Sequence, residues 1–150
     1  MPQEIVRLKY GPLPAQPDVY RSSRALDLHV IFTDLPKTAA ALAAARTLAR
    51  DLGARITLMA AQVVPYPLPL AEPDVPVEFT ERVMESLAVD NDAAVEIYLC
   101  RDRNEAIRRV LPPDSLVIFG ARKWRWWPSW ESRLARLLRQ DGRRVLLVTI

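Results

Sequence analysis

The residues best placed to do chemistry lie in one stretch. Ser115-Leu116-Val117-Ile118-Phe119-Gly120 reads as a buried strand, and Ala121-Arg122-Lys123 carries it into a loop. A strand that ends in glycine and opens into a loop and a helix is where open α/β sheets bind ligands, phosphates above all. This loop holds the cations Arg122, Lys123 and Arg125 and all four tryptophans of the chain, Trp124, Trp126, Trp127 and Trp130. Cationic side chains pair with phosphate oxygens. Interleaved Trp and Arg also fill pockets on protein partners, stack on bases or sit at membrane surfaces. Two arrangements of the rings stay open: they plug the crevice from within, or they face a protein partner. Nucleic acid and membrane are not the expected partners.

Other reactive side chains are sparse. His29 is the only histidine and lies within a strand, which suits a structural role. Cys100, the only cysteine, has no histidine beside it and reads as a small buried hydrophobe. No His or Cys spacing fits a metal centre. No serine sits on a nucleophile elbow, so no catalytic residues, no metal and no enzymatic activity are expected.

The elements that must position the loop follow from periodicity. Glu4 to Tyr10 alternates as a short strand, and Gly11, Pro12, Pro14 and Pro17 then break the chain. Residues 1–25 thus form an N-terminal arm and linker, either covering a sheet edge of this chain or a partner, or trailing as a tail. Residues 26–150 form one domain. Its strands are Leu26 to Phe32, Arg55 to Val64, Ala93 to Cys100, Ser115 to Gly120 and Val145 to Ile150. Its helices run from a cap at Thr38, with Ala41, Leu42, Ala45, Leu48, Ala49 and Leu52 inward and Gly53 ending it; from Val77 to Val89, with Phe79, Val83, Met84 and Leu87 inward; from Asn104 to Leu111; and from Ser129 to Gln140, with Leu134, Leu137 and Leu138 inward. Strands alternate with helices and the central ones are continuous apolar runs. That predicts an open, mainly parallel five-stranded α/β sheet with helices on both faces.

Composition bounds the rest. The chain has 150 residues and a net charge of +3, enough for one core and too little charge to argue for nucleic acid. No apolar run reaches the ~20 residues of a membrane helix, and Met1-Pro2-Gln3-Glu4 does not open a signal peptide. With a single cysteine, a reducing, cytoplasmic setting is expected.

The order and phrasing resemble the universal stress protein family over Leu26 to Ile150. The residues that carry the resemblance are Asp34 after the first core strand, Asp114-Ser115-Leu116-Val117-Ile118-Phe119-Gly120 before the loop, and the closing Arg144-Val145-Leu146-Leu147-Val148. The resemblance implies a five-stranded fold related to adenine nucleotide α-hydrolases, and a nucleotide crevice. ATP-binding members carry Gly-x2-Gly, a nine-residue spacer and Gly-Ser or Gly-Thr. Here Gly120 matches the first glycine, Lys123 stands for the second, the spacer is shorter, and Glu131-Ser132 falls where Gly-Ser should be. Pro36 replaces the serine of the family's Asp-x-Ser. Lys123 crowds backbone that phosphate must approach, and Glu131 places a carboxylate where phosphate would sit.

The expectation is therefore a non-enzymatic regulatory or stress-response module with a degraded nucleotide site and no cofactor. The alternative keeps ATP or another adenylate on Asp34, Gly120, Arg122, Lys123, Arg125 and Ser132. Asp34 either touches nucleotide, as the resemblance implies, or caps its own turn. Arg133, Arg136, Arg139, Arg143 and Arg144 form a basic run, read as a solvated face or one meeting an acidic partner. The last strand should lie at a sheet edge and pair with a second copy through Val145, Leu147 and Thr149, giving a homodimer, as is common in the family.

Overall fold

The computed structural model describes residues 5–10, 27–64, 77–122 and 129–150. They form β1 (Val6–Tyr10), β2 (Asp27–Ile31), α1 (Leu35–Leu52), β3 (Arg55–Val63), α2 (Val77–Asn91), β4 (Ala93–Cys100), α3 (Arg103–Val110), β5 (Leu116–Ala121), α4 (Trp130–Gln140) and β6 (Arg144–Thr149). The sheet order is β1-β4-β3-β2-β5-β6. The five strands from β2 to β6 run parallel, as the α/β alternation predicts. The arm adds a sixth: β1 pairs antiparallel with β4, from Val6 opposite Leu99 to Tyr10 opposite Val95. It covers an edge that would otherwise expose β4.

Side chains alternate across the pleat and build two apolar layers. Leu28, Val30, Leu58, Val95, Ile97 and Ile118 pack under Ala41, Leu42 and Ala45 of α1 and Met84 and Ala88 of α2. On the other face Ile31, Met59, Tyr98, Val117 and Phe119 pack under Ile107 of α3 and Leu134, Ala135 and Leu138 of α4. The alanines of α1 let its backbone lie close to the sheet. The chain leaves β2 for β3 and β4 on one side, then returns to β5 and β6 on the other. The carboxyl ends of β2 and β5 therefore flank the switch point, where open α/β sheets place their ligands.

Several local expectations are corrected. Asp34, not Thr38, caps α1: its backbone is extended and its carboxylate accepts the Lys37 N–H at 2.9 Å. Pro36 fits inside that first turn because its missing N–H would find no helical partner there. Thr38 lies within the helix, buried, and its hydroxyl accepts the Thr33 N–H at 3.0 Å. Leu52 and Phe79 are 49% and 71% exposed, because each sits in a terminal turn that runs past the core. Gly53 does end α1, at φ 63 in the left-handed region, where glycine is the least strained residue.

Within the basic run, Arg143 is not part of a solvated face. Its Nη2 donates to the carbonyls of Arg108 (3.0 Å) and Leu111 (2.9 Å) and so closes the end of α3. Arg108 in turn holds Asp141 through two hydrogen bonds, of 2.8 and 2.9 Å.

β6 forms the edge opposite β1. Ile150 N–H donates to Ala121 O at 3.2 Å. By strand alternation the main-chain groups of Leu146 and Val148 also face β5, and those of Val145, Leu147 and Thr149 face the open edge. The Arg139 guanidinium reaching Val145 O at 3.4 Å fits this parity. The side chains of Val145 and Leu147 are half-buried against the α3/α4 layer.

Candidate functional site

The switch point brings together the first turns of two helices. Asp34 caps α1 and Ser129 caps α4, its hydroxyl accepting the Ser132 N–H at 3.2 Å. Lys37 projects from the first turn of α1 and Glu131 from the first turn of α4. Lys37 Nζ lies 2.7 Å from Glu131 Oε1 and 3.2 Å from Asp34 Oδ2. The Lys37 side chain is 13% exposed and that of Glu131 only 3%. The amino terminus of α4 carries the partial positive charge that draws anions. Here an anion is already in place, the protein's own Glu131 carboxylate with Lys37 as counterion.

The charges are tuned accordingly. Burial alone would lower the affinity of Lys37 for its proton. Hydrogen bonds and charge from Glu131 and Asp34 outweigh it and raise the ammonium above its ordinary value. Burial likewise opposes ionisation of Asp34. The Lys37 N–H and ammonium, together with the charge of Arg122, outweigh that burial and hold the carboxyl below its usual range.

Gly120, the match to a phosphate-loop glycine, has a structural task. A Cβ built there would lie 2.6 Å from both Cβ and O of Lys37 and 2.8 Å from its Cα. The absence of a side chain at Gly120 is what lets α1 descend onto β5 and carry Lys37 to Glu131.

The remaining expected residues are placed as follows. Arg122 is exposed just beyond β5. Ser132 is exposed in the first turn of α4, with its hydroxyl 3.1 Å from that of Ser129. Trp130 is the first residue of α4 rather than a loop residue. It packs, half-buried, on the α3/α4 layer with the Arg103 guanidinium 3.8 Å over its ring. Lys123, Trp124, Arg125, Trp126 and Trp127 lie outside the described residues. Two buried polar atoms at the carboxyl ends of adjacent strands, Thr33 Oγ1 and Gln62 Oε1, have no hydrogen-bond partner among the described residues.

Lys37 escaped the sequence reading. It stands in a polar helix turn 94 positions from Glu131, and only the switch-point topology joins them. The one available signal was Glu131 itself, an acidic residue at a helix start that required a counterion once buried.

His29 and Cys100 are buried. Cys100 Sγ donates to Gln62 O at 3.6 Å, and burial foremost, with the charge of Asp102, pushes the thiol up to about 11. Burial lowers the pKa of His29, against the opposing charges of Glu96 and Asp27. Among the described residues no group of three or more His, Cys, Asp or Glu could hold a metal ion, and no helix is long and apolar enough to cross a membrane.

No family model matches the chain, and no curated protein does. Solved structures do. A protein of the universal stress protein family from Burkholderia pseudomallei aligns with a TM-score of 0.56 at 20% identity, over 85% of this chain and 98% of that one. A universal stress protein in complex with cAMP aligns at 0.54 and 15% identity, over 84% and 98%. A universal stress protein from Archaeoglobus fulgidus aligns at 0.50 and 13% identity, over 87% and 98%. The chain has the fold of these proteins, and the fold implied by the resemblance in its sequence is present.

Two outcomes test this geometry. Gly120→Ala should cost about 3 kcal/mol in urea unfolding, near the upper end for overpacking, because backbone rather than a side-chain tip meets the new methyl. His29 should make stability fall with acid. Its folded pKa lies below the unfolded value of 6.5, so the unfolded chain takes up the proton first and stability drains as pH drops below about 6.5. The slope is at most about 1.4 kcal/mol per pH unit. His29→Gln should flatten it between pH 6.5 and 5; equal slopes in both proteins would refute the assignment.

Proposed function

We propose that this protein is a non-enzymatic regulatory or stress-response module whose switch-point crevice is filled by its own side chains and does not take ATP. The observation that carries this reading is the buried Lys37–Glu131 pair, 2.7 Å between charged atoms, at the start of α4. A triphosphate entering there would have to displace Glu131 from Lys37 and bring further negative charge to a buried carboxylate. Gly120 serves helix packing, because a Cβ there would strike the backbone of Lys37.

In this reading the protein acts by binding other proteins. The open edge of β6 supports pairing with a second copy through the main-chain groups of Val145, Leu147 and Thr149. The segment holding Trp124, Trp126 and Trp127 is proposed as the surface for a different protein partner, with Trp130 anchoring its carboxyl side to the core. A reducing, cytoplasmic setting belongs to the same proposal.

A second reading rests on a specific observation. A structure of the same fold was solved with cAMP, and Thr33 Oγ1 and Gln62 Oε1, at the carboxyl ends of adjacent strands, are buried polar atoms with no partner among the described residues. An adenylate would then lie near Asp34, Gly120 and Ser132, with Arg122, Lys123 and Arg125 reaching its phosphates by side chain.

Calorimetric titration with Mg-ATP, with cAMP and AMP alongside, separates the two. The main reading expects no heat and no thermal shift for the wild type, and binding acquired by Glu131→Ala, which removes the buried carboxylate and leaves Lys37 paired only with Asp34. Micromolar ATP binding by the wild type that Asp34→Asn weakens would establish the second reading instead. For the dimer, Leu147→Pro removes an edge-facing N–H without breaking the β5 ladder. It should convert a dimer to a monomer in sedimentation; a wild-type monomer would refute the edge assignment.

A further inference from the structure

The opposite pole of the sheet holds a concavity that the switch-point reading does not use. It encloses about 330 Å³ between the last turns of α1, the start of β3 and the α2–β4 turn, and is lined by Arg46, Arg50, Arg55, Ile56, Asn91 and Asp92. Three arginines thus line one groove. Arg55 is engaged with Asp27 at 3.4 Å. Arg46 and Arg50, one helical turn apart on α1, make no ion pair among the described residues. A cation in the last turn of α1 suits the helix dipole, which accounts for Arg50. It does not account for the convergence of three arginines on one concavity.

We propose that this groove is a binding site for a small, multivalent phosphate-bearing anion. Guanidinium forks match the oxygens of such an anion, and Arg46 and Arg50 can grip it from one side while Arg55 faces them. The volume sits at the small end of ligand pockets, whose lower bound is roughly 300 Å³. Among the described residues no aromatic side chain lines the groove to stack on a base. The ligand class is a compact phosphate such as pyrophosphate or a sugar phosphate, not a nucleotide held through its ring.

Asp92 tempers the site. It is the only non-glycine residue at positive φ among those described, at 51°, and it ends α2 where glycine or asparagine is the easier choice. Asp92 lines the groove alongside the arginines, and its negative charge opposes the anion they attract. Asn91 beside it is fixed by its Nδ2 bond to Leu87 O at 2.8 Å. Replacing Asp92 by Asn keeps a residue suited to left-handed backbone and removes the opposing charge, so it tests the ligand's sign without threatening the fold.

The experiment is calorimetric titration of the full chain with inorganic pyrophosphate at low ionic strength. The wild type should bind one equivalent. Arg46→Gln with Arg50→Gln should weaken binding tenfold or more, and Asp92→Asn should tighten it several-fold. Arg133→Gln with Arg136→Gln, which removes equal charge from exposed positions on α4, should leave it unchanged. Absence of binding in both wild type and Asp92→Asn would overturn the proposal. So would equal weakening by the two arginine pairs, which marks a general charge effect, or indifference to Arg46 and Arg50. Mg-ATP binding that survives the Arg46/Arg50 change belongs to the switch-point crevice, so the fate of that reading stays separate.

Discussion

The descent of α1 onto β5 is the constraint on which the site depends. It is permitted by one missing methyl group, at Gly120, whose neighbour is the backbone of Lys37 itself. That approach sets the height of the first turn of α1 over the sheet. It thereby brings an ammonium to the start of α4, where Glu131 is 2% exposed and could not be charged at tolerable cost without a counterion. Two helix amino termini that in this architecture are suited to receive an anion instead share a carboxylate from within the chain. The pair ties the α1 layer to the α4 layer across the carboxyl edge of the sheet, so it joins two cores that the sheet otherwise separates.

The two poles of the molecule then differ in kind. At the carboxyl ends of the strands charge is internally balanced: Asp34, Lys37 and Glu131 satisfy one another, and Ser132 engages Ser129. At the amino ends Arg46 and Arg50 have no such partners among the described residues. The edges differ as well. β1 shields β4 by antiparallel pairing, whereas β6 leaves a row of main-chain groups open. The switch point, where open α/β sheets place their ligands, here holds a carboxylate paired within the chain.

The fold was largely legible because its signals are local. Apolar runs marked the parallel strands, with Ala93–Cys100 read at its observed bounds, and Gly53 marked the end of α1 through its need for positive φ. The boundaries misread have local physical causes. Asp34 and Thr38 can both cap a helix, and the choice was made by Pro36, which suits the first turn and so moves the start upstream. The site was legible only in part. Glu131 announced a misplaced anion, but Lys37 reads as an ordinary polar helix residue until the topology sets it opposite. Arg143 looked like one more member of a basic run, and only the meeting of α3 with the α4–β6 turn reveals it as a donor to two carbonyls. Burial and pairing between distant segments carry no periodicity, so no window of sequence reports them.

This coupling also limits which residues at the switch point can change one at a time. Replacing Lys37 alone strands a buried carboxylate, and replacing Glu131 alone leaves Lys37 with Asp34 as its remaining counterion; the first step is costlier than changing both. Gly120 cannot drift to compensate, because any side chain there strikes the backbone of α1. Glycine is therefore required at this position for packing, and its presence alone is no sign of nucleotide binding. The informative position is the one facing it across the crevice: a serine or glycine at the start of α4 would bring no charge there, whereas Glu131 places a buried carboxylate 2.7 Å from Lys37.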